Sequence, residues 1–145
     1  MKKLMMIIFC CGLITAKSFA QKVTEAEVPQ VVNDAFVAKF SGATEIQWEK
    51  ENATEFEVEF TFNAKSYSAN FTADGTWKET EYKIKSTELP SDVKSTITKE
   101  YVGYTISKAE VVESPSGSFY EVRLTKEDLK VELVIDKSGK IIKKK

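Results

Sequence analysis

The residues of this sequence whose types and spacing could support chemistry are the alternating glutamates Glu55, Glu57 and Glu59. Same-face neighbours on a strand stand about 7 Å apart, which lies within the carboxylate separations of glycosidases. However, adjacent residues of a flat exposed strand cannot flank a glycosidic bond from opposite sides, and no sequence feature indicates a pocket. We therefore interpret these glutamates as part of a binding surface and expect no enzymatic activity.

The composition narrows the chemistry further, because the 145-residue chain contains no histidine. This excludes catalysis by serine-histidine-aspartate or cysteine-histidine sites, and it also excludes histidine-containing zinc sites and histidine pH switches. The turns at Asp74 and at 136–138 lack the alternating oxygen ligands that an EF-hand loop supplies. We expect no cofactor and no metal.

The N-terminus has the pattern of a secretory signal peptide. Lys2 and Lys3 precede a mostly apolar run that is too short to span a bilayer, and the small residues Ser18 and Ala20 fit a cleavage site. We predict a signal peptide at 1–20. The mature chain is then expected to be exported, either to the periplasm or out of the cell.

The two cysteines, Cys10 and Cys11, lie in this apolar run, and neither follows the small residue that lipid attachment usually requires. We expect no lipid anchor, and the mature chain would contain no cysteine. Without Lys2, Lys3 and Lys17 it has 18 basic and 22 acidic residues, a formal charge of −4. Nucleic acid is therefore not an expected partner, and no transmembrane segment is expected in the mature chain.

The remaining sequence repeats itself. Helix positions recur at an offset of 61 residues, and strand and turn positions recur at an offset of 64. The recurring pairs include Pro29 and Pro90, Val32 and Val93, Phe36 and Ile97, Phe40 and Tyr101, Val58 and Val122, and Gly75 and Gly139. We predict two repeats, 21–84 and 85–145, in one compact domain, with a longer loop at 114–117 accounting for the difference in offset.

Each repeat has the pattern of a helix followed by four strands. Apolar residues spaced by four, such as Phe36 and Phe40, predict the helix, and the alternation of Phe56, Val58 and Phe60 is typical of a strand. Turn residues follow at 51–52, 63–64, 74–75, 127–128 and 138–139. We expect an α+β fold in which two tandem helix plus four-stranded antiparallel meander repeats form one roughly eight-stranded sheet, with both helices on one face.

The opposite face of this sheet, which we call the open face, is the expected location of function. In the first repeat it should carry the polar residues of two neighbouring strands, which are Glu55, Glu57, Glu59, Ser66, Ser68 and Asn70. Tyr82 and Tyr104 are further candidates, because aromatic anchors dominate many interfaces. The open face is either an ordinary solvated surface or an acidic strip that meets a cationic partner.

Several local motifs occur in the order that one known family shows. They are Pro29-x-x-Val32 with Phe36 and Phe40, Ile46-Gln47-Trp48-Glu49, Phe56-Glu57-Val58-Glu59-Phe60, and Phe71 with Asp74-Gly75-Thr76-Trp77. Together with the duplication, the pattern resembles the secreted β-lactamase-inhibitor-like, PepSY-like family of bacterial proteins. The second copy is weaker, since Ile141 stands where Trp77 stands in the first and Lys108 or Ala109 replaces Trp48.

The resemblance implies a fold like that of β-lactamase inhibitory proteins, in which an open sheet face grips a partner protein, and like PepSY domains, which are thought to restrain peptidases. It implies no catalytic residues. The leading hypothesis is an exported binding protein whose open face engages an unknown protein or peptide, with inhibition as one form of that role. The alternative is an envelope-associated structural or glycan-binding module. Either could be a monomer or a dimer joined at its sheet edges.

Overall fold

A computed structural model describes residues 21–145, and the predicted signal peptide lies outside the described residues. Within that range the chain forms one antiparallel sheet in which spatial order follows sequence order. The helices are α1 (Gln30–Lys39) and α2 (Ser91–Glu100), and the strands are β1 (Gln21–Val23), β2 (Thr44–Lys50), β3 (Glu55–Phe62), β4 (Lys65–Thr72), β5 (Trp77–Lys83), β6 (Thr105–Ser114), β7 (Gly117–Lys126), β8 (Leu129–Asp136) and β9 (Ile141–Lys144). A short 3₁₀ helix precedes each α-helix, at Glu25–Glu27 and at Ser86–Glu88.

The helices form where the sequence predicts them. Pro29 and Pro90 each stand directly before a helix, where the missing proline N–H costs no hydrogen bond. The i, i+4 stripe of α1 buries Val32 and Phe36, and the equivalent stripe of α2 buries Val93 and Ile97. The helices of residues 21–145 are all too short or too polar to cross a membrane.

Both helices cover the same face of the sheet, as expected. Residues that pair directly across two strands point to one face, and the pairing can be followed from one half to the other. In the first half Ala69, beneath α1, pairs with Thr80 of β5. Two residues further along β5, Tyr82 pairs with Val111 of β6, and Ala109 of β6 lies beneath α2.

Aromatic packing fixes α1 on its half of the sheet. The ring of Phe36 meets Trp48, Phe60 and Phe71 edge-on, with centroids 5.4, 5.0 and 6.4 Å away. Such tilted contacts add about 0.5–1.5 kcal/mol each beyond the burial of apolar area. Aliphatic residues replace most of these rings beneath α2, where Val93 and Ile97 pack on a core that includes Leu124 and Leu133.

Two details of the sheet differ from the expectation. It has nine strands instead of eight, because Gln21–Val23 pairs with the end of β2. The expectation of a longer loop at 114–117 is wrong, since Ser114 pairs directly with Gly117. The additional residues lengthen the strands instead, as β6 and β7 have 10 residues each where β2 and β3 have 7 and 8.

Two glycines dock the final turn of each half against its helix. A Cβ atom at Gly75 would lie 2.8 Å from the Val31 carbonyl oxygen, and one at Gly139 would lie 2.6 Å from the Asp92 carbonyl oxygen. Both glycines also have positive φ, at +85° and +84°. Only glycine therefore allows the turn to approach the helix this closely.

We expect Gly139→Ala to lower the free energy of unfolding by about 2–4 kcal/mol, because it combines left-handed strain with a clash against the α2 backbone. The matched control is Gly42→Ala, which has φ +89° but no atom within 4 Å of the added Cβ. It should cost only about 1 kcal/mol. Urea denaturation of both variants measures the difference, and equal losses would show that the close approach to the helix contributes nothing.

Candidate functional site

The structure places six of the eight predicted binding residues on the open face. Glu57 pairs with Asn70 and Glu59 pairs with Ser68, while their neighbours Phe56, Val58 and Phe60 are buried beneath α1. By the same alternation Glu55 and Ser66 share this face. The polar strip predicted along β3 and β4 is therefore continuous.

Tyr82 and Tyr104 lie on the other face. Tyr82 pairs with Tyr67, whose ring lies 5.1 Å away and packs against the core beneath α1. Tyr104 is half-buried against the core beneath α2, with its ring edge-on to Tyr101 at 5.7 Å. Neither tyrosine is brought together with the glutamates, so the two kinds of candidate residue belong to different surfaces.

The open face carries further glutamates that the sequence reasoning did not single out, which are Glu49, Glu79, Glu81, Glu110, Glu121 and Glu132. Cross-strand pairing joins Asn70 to Glu79 and Ser68 to Glu81, and continues the acidic surface into the second half. We call the seven central acids the glutamate face: Glu57, Glu59, Glu79, Glu81, Glu110, Glu121 and Glu132. The alternation of Glu79 and Glu81 in KETEYK was the available signal for two of them.

The centre of the glutamate face is a cluster of three carboxylates. Oxygens of Glu81, Glu110 and Glu121 all lie within 4.8 Å of one another. Lys108 contacts Glu110 at 2.7 Å, and Lys145 contacts Glu121 at 2.9 Å. Calcium takes six to eight oxygen ligands, so three carboxylates, two of which already hold ammonium groups, do not form a complete calcium site.

Burial perturbs the acids of the first half most strongly. Burial, reinforced by the charges of Glu79, Glu121 and Glu110, raises the pKa of Glu81 to about 7. Burial also raises the pKa of Glu57 to about 7, and a hydrogen bond with Glu51 contributes. These carboxyls therefore exchange a proton near neutral pH.

The acids of the second half are in contact with cations of the chain itself, although burial still raises the pKa of Glu121. Arg123 contacts Glu132 at 2.9 Å, and the Lys145 ammonium lies 2.9 Å from Glu121 and 3.2 Å from Glu132. The pKa of Glu132 falls to about 2, mainly because it accepts a hydrogen bond from Glu121 and also because it accepts bonds from Arg123 and Lys145. The second half thus contains alternating acids and bases.

The sequence and the fold of this chain are similar to those of known proteins. A family model described as "Putative beta-lactamase-inhibitor-like, PepSY-like" matches residues 14–68 and 54–143. The fold is similar to a BLIP-like protein from Bacteroides fragilis, with 22% identity, coverage of 80% of this chain and 84% of that chain, and a TM-score of 0.71. No curated protein shows a significant match.

Two further solved structures share the fold. A DUF2874 family protein from Bacteroides uniformis is 20% identical, with coverage of 81% of this chain and 88% of that chain and a TM-score of 0.73. A structure from Bacteroides eggerthii described as "putative periplasmic proteins" is 17% identical, with the same coverage and TM-score. At these identities the similarity shows the sheet and its helices, and it transfers no site residue.

The raised pKa values predict that stability falls as pH rises. Between about pH 4.5 and pH 7 the folded chain binds more protons at Glu57 and Glu81 than the unfolded chain does, so the free energy of unfolding decreases across that window. Glu81→Gln should raise the melting temperature by about 3–6 °C at pH 8 and change it little at pH 5. Thermal unfolding monitored by circular dichroism at both pH values provides the measurement.

The control for this prediction is Glu100→Gln at the exposed end of α2, which should change the melting temperature equally at both pH values. If Glu81→Gln behaved like this control, the carboxyl of Glu81 would not be a strained group of the folded chain.

Proposed function

Because this chain belongs to the beta-lactamase-inhibitor-like, PepSY-like family, we propose that it is an exported, non-enzymatic binding protein that uses its open face to hold a protein or peptide. The family description refers to inhibitor likeness and names no enzymatic activity. The observation that carries the proposal is the glutamate face, a charged surface that crosses both halves of the sheet while both helices occupy the other side.

The geometry of the open face favours binding over catalysis. Its carboxylates stand on a broad sheet, and the chain contains no histidine that could act with Glu57 or Glu81, the acids with raised pKa values. Charged surfaces of this kind steer a partner and fix its orientation, and they contribute less to raw affinity. A partner that supplies cations would be attracted to the acids of this face.

Export is part of the same proposal. The lysine-led apolar run and the small residues before Gln21 have the pattern of a signal peptide, and one structural neighbour is described as periplasmic. A duplicated origin of the two halves is supported by their equivalent helix and strand order. It is supported also by the matching docking of Gly75 and Gly139 against their helices.

The proposal predicts a partner that depends on the open face. Residues 21–145 used as bait on envelope and secreted fractions should capture a stoichiometric protein. A triple variant that reverses three charges of the face should abolish the capture; it combines Glu55→Lys, Glu57→Lys and Glu59→Lys. The purified partner should then bind the wild-type chain in a calorimetric titration. The expected loss of affinity in the triple variant is at least a hundredfold.

A matched control reverses three exposed acids away from the open face, with Glu100→Lys, Glu127→Lys and Asp128→Lys in one variant. This variant should retain the partner, since its charge change is identical and its location differs. Retention by the open-face variant would contradict the proposal. Failure of the wild-type bait to capture any protein would instead favour the glycan-binding alternative.

A further inference from the structure

The charges of the open face are divided unequally between the two halves of the sheet. In the second half the basic side chains Lys108, Arg123 and Lys145 lie among the acids and contact them at 2.7–3.2 Å. In the first half Lys22 and Lys83 face the same way but lie at the ends of the strip, beside β2 and beside β6. Lys78 makes one long contact with Glu55, at 3.8 Å. The first half therefore presents the less compensated negative surface.

The surroundings of Glu57 show that the negative charge of the first half is poorly compensated. It faces Glu49 across β2 and Asn70 across β4. The charges that act on it most strongly are those of Glu51, Glu59 and Glu81, and all of them are negative. A cation placed above Glu57 would relieve repulsion from several directions at once.

Glu81 has a similar environment in the middle of the sheet. It faces Ser68 on β4 and Val112 on β6, with Glu79 on its own strand. Glu110 with its partner Lys108 and, one strand further, Glu121 with its partner Lys145 lie around it, and Lys83 follows two residues along its own strand, paired with Glu110. Lys108 is already held at 2.7 Å by Glu110 and Lys145 at 2.9 Å by Glu121.

The second half shows what kind of group this surface accommodates. The ammonium of Lys145 lies between Glu121 and Glu132 with only 11% of its side chain exposed. Alternate residues of an extended segment stand about 7 Å apart, the same spacing as Glu57 and Glu59 or Glu79 and Glu81. An extended segment with a basic residue at every second position would therefore match the acids of either strand.

We propose that the partner of the open face is a basic, extended protein segment whose lysine or arginine side chains contact Glu57, Glu59, Glu79 and Glu81 in the first half of the sheet. The second half is not the docking surface, because Lys108, Arg123 and Lys145 already contact its acids and repel a second set of cations. This inference rests on the proposed function and specifies the chemistry of the partner and its position on the face.

Binding of such a segment must compete with protons. The carboxyls of Glu57 and Glu81 hold protons below about pH 7, and a protonated carboxyl cannot pair with an ammonium group. The apparent dissociation constant equals the intrinsic constant divided by the fraction of chains in the binding-competent state. Affinity should therefore rise at least tenfold between pH 6 and pH 8.

The experiment uses residues 21–145 and a blocked octapeptide in which lysine and threonine alternate. Calorimetric titration at low salt should give saturable one-to-one binding with a dissociation constant below about 1 mM at pH 8. Amide chemical shifts should move in β3, β4 and β5 and remain unchanged in β8 and β9. The matched peptide, in which glutamine replaces lysine, should produce no shifts.

Two variants distinguish binding at Glu57 and Glu81 from nonspecific attraction of the cationic peptide to an acidic protein. Glu57→Gln and Glu81→Gln should each weaken binding at pH 8 by at least fivefold, and together they should remove the pH dependence. Glu100→Gln carries the same charge change at the exposed end of α2 and should leave both quantities unchanged. Circular dichroism of each variant verifies that the sheet is retained.

The inference is overturned if the lysine peptide does not bind at pH 8, if it shifts β7 to β9 as strongly as β3 to β5, or if affinity is the same at pH 6 and pH 8. These results are distinguishable from failure of the proposed function. A protein captured through the open face that ignores the lysine peptide would overturn this inference alone, whereas loss of capture would remove the wider proposal as well.

Discussion

The alternation of buried and open residues along the strands is the constraint on which the rest of the molecule depends. One set of alternate strand side chains packs against Phe36 and Ile97 beneath the helices, and the other set therefore lies on the open face. A slip of one residue between β3 and its neighbours would exchange Val58 for Glu57 in the core. The hydrophobic core therefore determines where the charges lie, although no charged residue takes part in it.

The same constraint explains why the glutamates are perturbed. Residues on neighbouring strands are held about 5 Å apart by the backbone ladder, so acids that pair across the sheet cannot separate when they ionise. Glu110 and Glu121 are paired in this way, and Glu81 lies on the adjacent strand. Raised pKa values in the glutamate face thus follow from rigid spacing and partial burial, which are properties of the sheet.

Local patterns were sufficient to predict the helices, most turns and the placement of Glu55, Glu57 and Glu59. The cluster of Glu81, Glu110 and Glu121 could not be predicted, because it depends on the pairing of β5 with β6 across the junction of the two halves. Val112 and Val134 also break the simple rule, since they are buried on the open face. The three-residue strand β1 has no sequence pattern long enough to identify it.

The glutamate face lowers the stability of the folded chain, and this loss of stability bears on its function. A carboxylate held in a partly buried, negatively charged setting lowers the free energy of unfolding at neutral pH, and threonine at the same strand position would not. In the second half the chain keeps Glu132 ionised, through a hydrogen bond from Glu121 and through contacts with Arg123 and Lys145. In the first half Glu57 and Glu81 lack an equivalent arrangement, and their surroundings remain predominantly acidic. A cationic partner that docks there would supply the missing compensation, so binding and relief of this destabilisation would be a single event.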